Sequence, residues 1–155
     1  MPADIPGSAT ATGRATKPVN QSALLRSLGY NCLQAYLTVV PSIKKELEAF
    51  GLRPVEFTIL SLVNANPGLN QKRLGQTIKV SPPNLATVLD RMEANGLLKR
   101  QRNPLDKRSQ ILVLTDEGRT RCAQAEEIAE HAESTPKLSP AERQQLLLLL
   151  QKVFL

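Results

Sequence analysis

Residues 81–118 read SPPNLATVLDRMEANGLLKRQRNPLDKRSQILVLTDEG, and the spacing of apolar residues changes partway along. Leu85, Val88, Leu89 and Met92 keep the three-and-four spacing of a helix, opened by the cap-then-proline order Ser81-Pro82 and ended by Asn95-Gly96. The opposite face of that helix carries Asn84, Thr87 and Arg91. Beyond Gly96, Leu97-Leu98-Lys99-Arg100 and Ile111-Leu112-Val113-Leu114 are strand-length apolar segments around a polar, basic loop that holds Pro104. This predicts a two-stranded hairpin with a long tip. Thr115 then caps a further helix.

Upstream, Asn70 can cap a short helix that runs to about Ile78. Before it, Pro54 opens a helix with Val55, Phe57, Ile59, Leu60, Leu62 and Val63, which stops short of Pro67-Gly68 and is apolar on nearly every side, as a core element is. Earlier still, Leu25, Leu28, Cys32, Tyr36 and Val39 predict a helix with one buried stripe. Pro41 should kink it, and Gly51 should cap its end after Ile43, Leu47 and Phe50. Residues 1–21 have almost nothing to bury and read as a disordered lead-in. Downstream, Cys122, Ala125, Ile128 and Ala132 mark a helix, and Ser139-Pro140-Ala141-Glu142 is a full capping-box signature for the last one. That last helix carries the unbroken row Leu146 to Leu150, which wraps every side and predicts burial against a second chain. The order of elements predicts a mainly α fold with a small β-hairpin wing, a winged helix-turn-helix over residues 51–114.

The chain has 155 residues, with 20 Lys and Arg against 14 Asp and Glu. Nine bases against three acids fall within residues 70–110, a local excess of +6 equal to that of the whole chain. One segment therefore carries the footprint of a surface that faces a polyanion, the alternative being a merely solvated face. No apolar run approaches the roughly 20 residues of a membrane span, and the opening Met1-Pro2-Ala3-Asp4 lacks the features of a secretory signal, so a cytoplasmic protein is expected. Two cysteines ninety positions apart and one histidine make neither a disulfide framework nor a usual zinc set. No phosphate loop, paired-acid pocket or nucleophile triad is present, so neither catalysis nor a cofactor is expected.

The run Val88 to Arg100, the Gly51-Leu52-Arg53-Pro54 junction and the stretch Asn103 to Gly118, in which Asp106 precedes Arg108 and the strand ends Leu-Thr-x-x-Gly, together resemble the MarR family of bacterial transcriptional regulators. The resemblance covers about residues 22 to 155. It implies an intertwined homodimer, with dimerisation helices over 22–50 and 115–155, that presents two winged domains to a double-stranded, pseudo-palindromic DNA operator, each fourth helix in a major groove and each wing tip in a minor groove. It also implies that Arg108 enters the minor groove and that Asp106 braces it. Asn103 departs from the family's frequent Asp, and Arg53 from its usual hydroxyl cap.

On this reading Ser81, Pro83, Asn84, Thr87 and Arg91 face DNA. Asn84 suits adenine, Thr87 a thymine methyl, and Arg91 guanine or a phosphate. An ion pair between Arg91 and a nearby Glu is the alternative. Lys72, Arg73, Lys79 and Lys107 are expected on phosphates, with Arg100 and Arg102 able to act likewise. The resemblance further implies a small aromatic or lipophilic effector, for which Tyr30, Asn31, Gln34, Tyr36 and Phe57 are candidates; plain core is the alternative for Tyr36 and Phe57. One branch of the family senses hydroperoxides through a first-helix cysteine, and Tyr30 and Tyr36 flank Cys32. That residue falls about three positions from the sensor's place, which favours a structural thiol; Cys122 reads the same way. His131 reads as a solvent-facing helix residue. The expectation is a sequence-specific regulator, a repressor released by its effector. A nonspecific architectural DNA binder, a redox regulator and a protein-docking module are the alternatives.

Overall fold

The computed structural model describes residues 19–104, 109–132 and 137–155. The expected lead-in therefore lies, up to residue 18, outside the described residues. The chain divides into two compact units, 1–34 and 35–155. In the first, a 3-10 turn at Leu24–Arg26 precedes the start of α1 (Leu28–Ala49). Asn31 Nδ2 donates to the Leu25 and Ser27 carbonyls at 2.9 and 2.7 Å, which ties the turn to the helix.

The second unit holds the rest of α1, then α2 (Pro54–Ala65), α3 (Gln71–Ile78), α4 (Pro82–Ala94), β1 (Leu98–Arg102), β2 (Gln110–Leu114), α5 (Asp116–Ala132) and α6 (Pro140–Phe154). Each element predicted from spacing is present. The local signals act as expected at Asn70, whose side chain accepts from Arg73 N–H at 2.9 Å, and at Ser139 and Glu142, which form the reciprocal capping box. Hydrogen bonds from Ser139 hold the exposed Glu142 carboxyl below its usual pKa. At the head of α4, by contrast, Ser81 makes no side-chain cap, and Pro82 alone marks the start. Pro41 sits inside α1 without ending it.

Leu47, Leu52, Ile59, Leu60, Leu74, Leu85, Leu89, Met92, Leu98, Leu112, Leu114 and Cys122 form one contiguous core. Removing each leucine from water stabilises by about 1.5–3 kcal/mol. The hairpin is antiparallel, with Leu98 opposite Leu114 and Arg100 opposite Leu112. It docks onto the loop before α3 through Leu112 N–H, which donates to the Leu69 carbonyl at 2.9 Å. On the other side of the core, Arg121 of α5 stacks 4.1 Å from the Phe50 ring and donates to the Phe50 carbonyl at 2.8 Å, capping the end of α1.

Two apolar surfaces are left open by the single chain. The stripe predicted to be buried on the first helix is open: Leu25, Leu28 and Tyr36 are each more than half exposed, and Leu47 is the one fully buried residue of α1. Helix α6 buries nothing, and Leu148, Leu149, Val153 and Phe154 are all more than half exposed. Periodicity identifies an apolar face correctly but does not say whether the same chain covers it.

Candidate nucleic-acid interface

Helices α3 and α4 meet through the short link Lys79-Val80-Ser81. Lys79 takes a left-handed conformation with φ 54°, which reverses the chain, and Val80 N–H caps the Gly75 carbonyl at 3.1 Å. The helices cross closely at Gly75, where an added Cβ would lie 3.1 Å from Leu85 Cδ2 and 3.4 Å from the Val80 carbonyl oxygen. This small residue lets α4 lie across α3 with Leu85, Leu89 and Met92 inward. Ser81, Pro83, Asn84 and Thr87 are consequently exposed on the outer side. Thr87 Oγ1 donates to the Pro83 carbonyl at 3.1 Å, leaving its methyl group available.

Lys72 and Arg73 lie in the first turn of α3, Lys79 at its end, and Lys99 and Arg102 on β1. All five are exposed, and among the described residues none of them joins an ion pair. Lys99 is an exposed cation of the same basic run that the sequence alone does not single out. An open cleft of about 840 Å³ runs along the elbow, floored by Gly75, Val80, Pro82 and Leu85 and edged by Lys72 and Lys79.

Arg91 is placed differently. Its Nε donates at 2.9 Å to Glu56 Oε1, and its side chain is about one-third exposed. Glu56 is 4% exposed, and its second oxygen accepts Arg53 N–H at 2.8 Å, half of a capping box that an Arg side chain, having no acceptor, cannot reciprocate. Burying a carboxylate is costly unless it is paired and hydrogen-bonded, and here both oxygens are satisfied. The ion pair with a Glu, the alternative for Arg91, is thus the arrangement observed, and its partner lies on α2. A cue was available: Glu56 is the one charged residue in a largely apolar helix, and such an acid calls for a cation. Arg100 is also committed. Its Nη2 donates to Asp90 Oδ1 at 2.6 Å, its Nη1 bonds Glu93 Oε2, and its backbone N–H donates to Glu93 Oε1 at 3.1 Å. Burial opposes the charge on Arg100, but the hydrogen bonds and charges of Asp90 and Glu93 outweigh it, so the guanidinium pKa is raised.

Asp106, Lys107 and Arg108 lie outside the described residues. At the described edge of that loop, Asn103 N–H donates to the Ser109 carbonyl at 2.9 Å, extending the hairpin by one pair.

Of the effector candidates, Tyr30, Asn31 and Gln34 belong to the first unit, Tyr36 and Phe57 to the second. Tyr30 is half-buried and its hydroxyl donates to Gln21 Oε1; Gln34 is exposed. Tyr36 is 59% exposed, whereas Phe57 packs half-buried against the core. Cys32 and Cys122 are both free thiols. Cys122 is fully buried, near Ser61 Oγ and the Glu126 carboxylate at 3.8 and 3.5 Å. Burial pushes its thiol pKa up, which disfavours the reactive thiolate. His131 is exposed, with Nδ1 2.7 Å from the Glu127 carbonyl. Among the described residues, no helix is long and apolar enough to cross a membrane.

Comparison with known proteins follows the same lines. A model of the MarR family matches residues 52–110. The HTH-type transcriptional regulator YkoM of Bacillus subtilis (strain 168) is 31% identical over 121 residues, 77% of this chain and 79% of its own. Among solved structures, the transcriptional repressor CouR bound to a 23-mer DNA duplex superimposes with a TM-score of 0.79 at 34% identity, covering 88% of this chain and 99% of CouR. CouR bound to p-coumaroyl-CoA gives 0.73 at 32% identity, covering 88% and 97%.

Proposed function

The chain belongs to the MarR family, and from that premise we propose that it is a sequence-specific regulator that binds double-stranded DNA as a homodimer in the cytoplasm and represses transcription until a small aromatic or lipophilic effector releases it. The observation that carries this reading is the outer side of the turn motif. Asn84 and Thr87 stand exposed on α4, and five exposed cations on α3, its end and β1 join no ion pair among the described residues. Base-reading side chains surrounded by phosphate-holding ones are what sequence-specific binding needs. The CouR structure bound to a DNA duplex supports the partner, and the one bound to p-coumaroyl-CoA supports the effector class. The exposed apolar faces of α1 and α6 support the second copy. A dimer axis between two such surfaces implies a pseudo-palindromic operator with half-sites one helical turn, roughly 34 Å, apart.

In this reading Ser81, Pro83, Asn84 and Thr87 meet base edges, while Lys72, Arg73, Lys79, Arg102 and Lys107 hold phosphates. Arg108, braced by Asp106, enters the minor groove. Arg108→Ala should weaken operator binding by about 1–3 kcal/mol per half-site without changing the melting temperature, with Lys107→Ala milder. Fluorescence anisotropy at two salt concentrations measures this. Parental binding by Arg108→Ala at both would remove the minor-groove role. Asn84→Ala/Thr87→Ala should lose preference for operator over random duplex; an architectural binder would keep its affinity for both.

Release requires that the effector bind the DNA-incompetent form more tightly, and a 100-fold loss of DNA affinity needs about 2.7 kcal/mol of such coupling. A thermal-shift screen of aromatic acids and their thioesters should find a compound that both stabilises the protein and releases the duplex. If every stabilising compound left DNA affinity unchanged, ligand release would be the wrong mechanism.

A further inference from the structure

We propose that Arg100 is a positioning residue, a strut that fixes the wing to the recognition helix α4 through Asp90 and Glu93 and takes no phosphate itself. The inference rests on the DNA-binding reading above and deepens it.

Arg100 is the third residue of β1, and Asp90 and Glu93 lie in the last turns of α4. One guanidinium nitrogen bonds each acid, and Glu93 additionally accepts the Arg100 backbone N–H at 3.1 Å. A single carboxylate therefore holds both the main chain and the side chain of one strand residue. This bridge closes the short Asn95-Gly96 corner into a braced angle. The Arg100 side chain is 21% exposed, with both terminal nitrogens occupied. Two carboxylates on one guanidinium leave a local charge of about −1, which repels a phosphate. To bind one, Arg100 would have to give up charge-assisted hydrogen bonds already made.

The neighbouring residue extends the brace. Arg91 bonds Glu56 at 2.9 Å, so the consecutive residues Asp90 and Arg91 tie α4 to the wing on one side and to α2 on the other. Lys99 and Arg102 flank Arg100 on the same strand, exposed and outside the ion pairs. They are the cations whose placement against DNA the strut would set.

The sign of one charge change separates the strut from a direct contact. Asp90→Asn/Glu93→Gln makes the protein two charges more positive, so charge alone would tighten DNA binding. As a strut, the double variant should bind about tenfold more weakly than the parent to a duplex selected by the parent from a random-sequence pool. Arg100→Met should match that loss, the triple variant should lose no more than Arg100→Met, and Arg100→Lys should recover part of it. Double-variant binding as tight as the parent's, or tighter, would overturn the proposal. A second arm needs no DNA. In Arg100→Met, amide hydrogen exchange should quicken in β1 and β2 while α2 and α4 stay unchanged. Hairpin exchange identical to the parent's would also overturn it. If the parent selects no duplex, the DNA-binding reading fails, and hydrogen exchange still decides the strut.

Discussion

Gly118→Ala should destabilise the protein by about 3–5 kcal/mol, against the ordinary rule that alanine in a helix is better than glycine by up to about 1 kcal/mol. Gly118 is buried in the first turn of α5. A Cβ added there would lie 1.8 Å from the Leu97 carbonyl oxygen and 2.9 Å from its carbon, both backbone atoms that cannot rotate aside. That carbonyl accepts Thr115 N–H at 3.1 Å, Thr115 Oγ1 accepts Gly118 N–H at 2.9 Å, and the same hydroxyl donates to the Gly96 carbonyl at 2.6 Å. The start of α5 is thus fastened to the corner between α4 and the hairpin, and the methyl group would have to force the two apart by more than about 1 Å. Overpacking of this kind distorts the backbone and costs far more than the helix propensity returns. For a chain of this size the loss corresponds to a melting temperature lower by roughly 10 °C. Urea and thermal denaturation measure it, and an alanine variant as stable as the parent would show that the corner is loose.

Deleting residues 138–155 should leave a protein that sediments as a monomer and binds operator at least about 100-fold more weakly than the parent. Helix α6 contributes no buried residue to the core that runs from Leu47 to Ala125, so its loss removes little from the fold of one chain. What it carries is apolar surface: Leu148 at 52%, Leu149 at 54%, Val153 at 61% and Phe154 at 68% exposure. An apolar helix left so open is the mark of an interface, and two linked half-site readers gain about 10²–10⁴ in avidity over one. Should the deletion protein precipitate, Leu149→Glu/Val153→Glu tests the same point with the helix retained. Sedimentation and anisotropy read both variants. A dimer of parental affinity from either would place the interface elsewhere.

How much was legible in advance depended on distance along the chain. Asn70, Ser139 with Glu142, and Thr115 act on amides three residues away, so their capping could be read directly from residue order. The switch from helical spacing to strand-length apolar runs after Gly96 placed the hairpin within a residue or two of β1 and β2. The exposure of Asn84 and Thr87 followed from their being out of phase with Leu85, Leu89 and Met92. These signals operate within one turn of helix or one strand.

Other outcomes required the chain to fold first. Counting bases in residues 70–110 located the basic segment, but not which of its cations are paired. Arg91 is neutralised by an acid thirty-five positions earlier, and Arg100 by two acids across a corner, because the fold brings Glu56 of α2 and the first strand of the hairpin within hydrogen-bond reach of α4. Gly118 stands out in the sequence only as the end of the Leu-Thr-x-x-Gly run, and the physical requirement for a glycine appears only where the Leu97 carbonyl closes over it. The apolar stripe of α1 could be drawn from spacing, yet its exposure is a property of the folded chain. Spacing shows that a face is apolar because it reflects local geometry alone. Which surface covers that face, and which charge a cation answers, are set by contacts between residues far apart in sequence, and only the tertiary structure decides them.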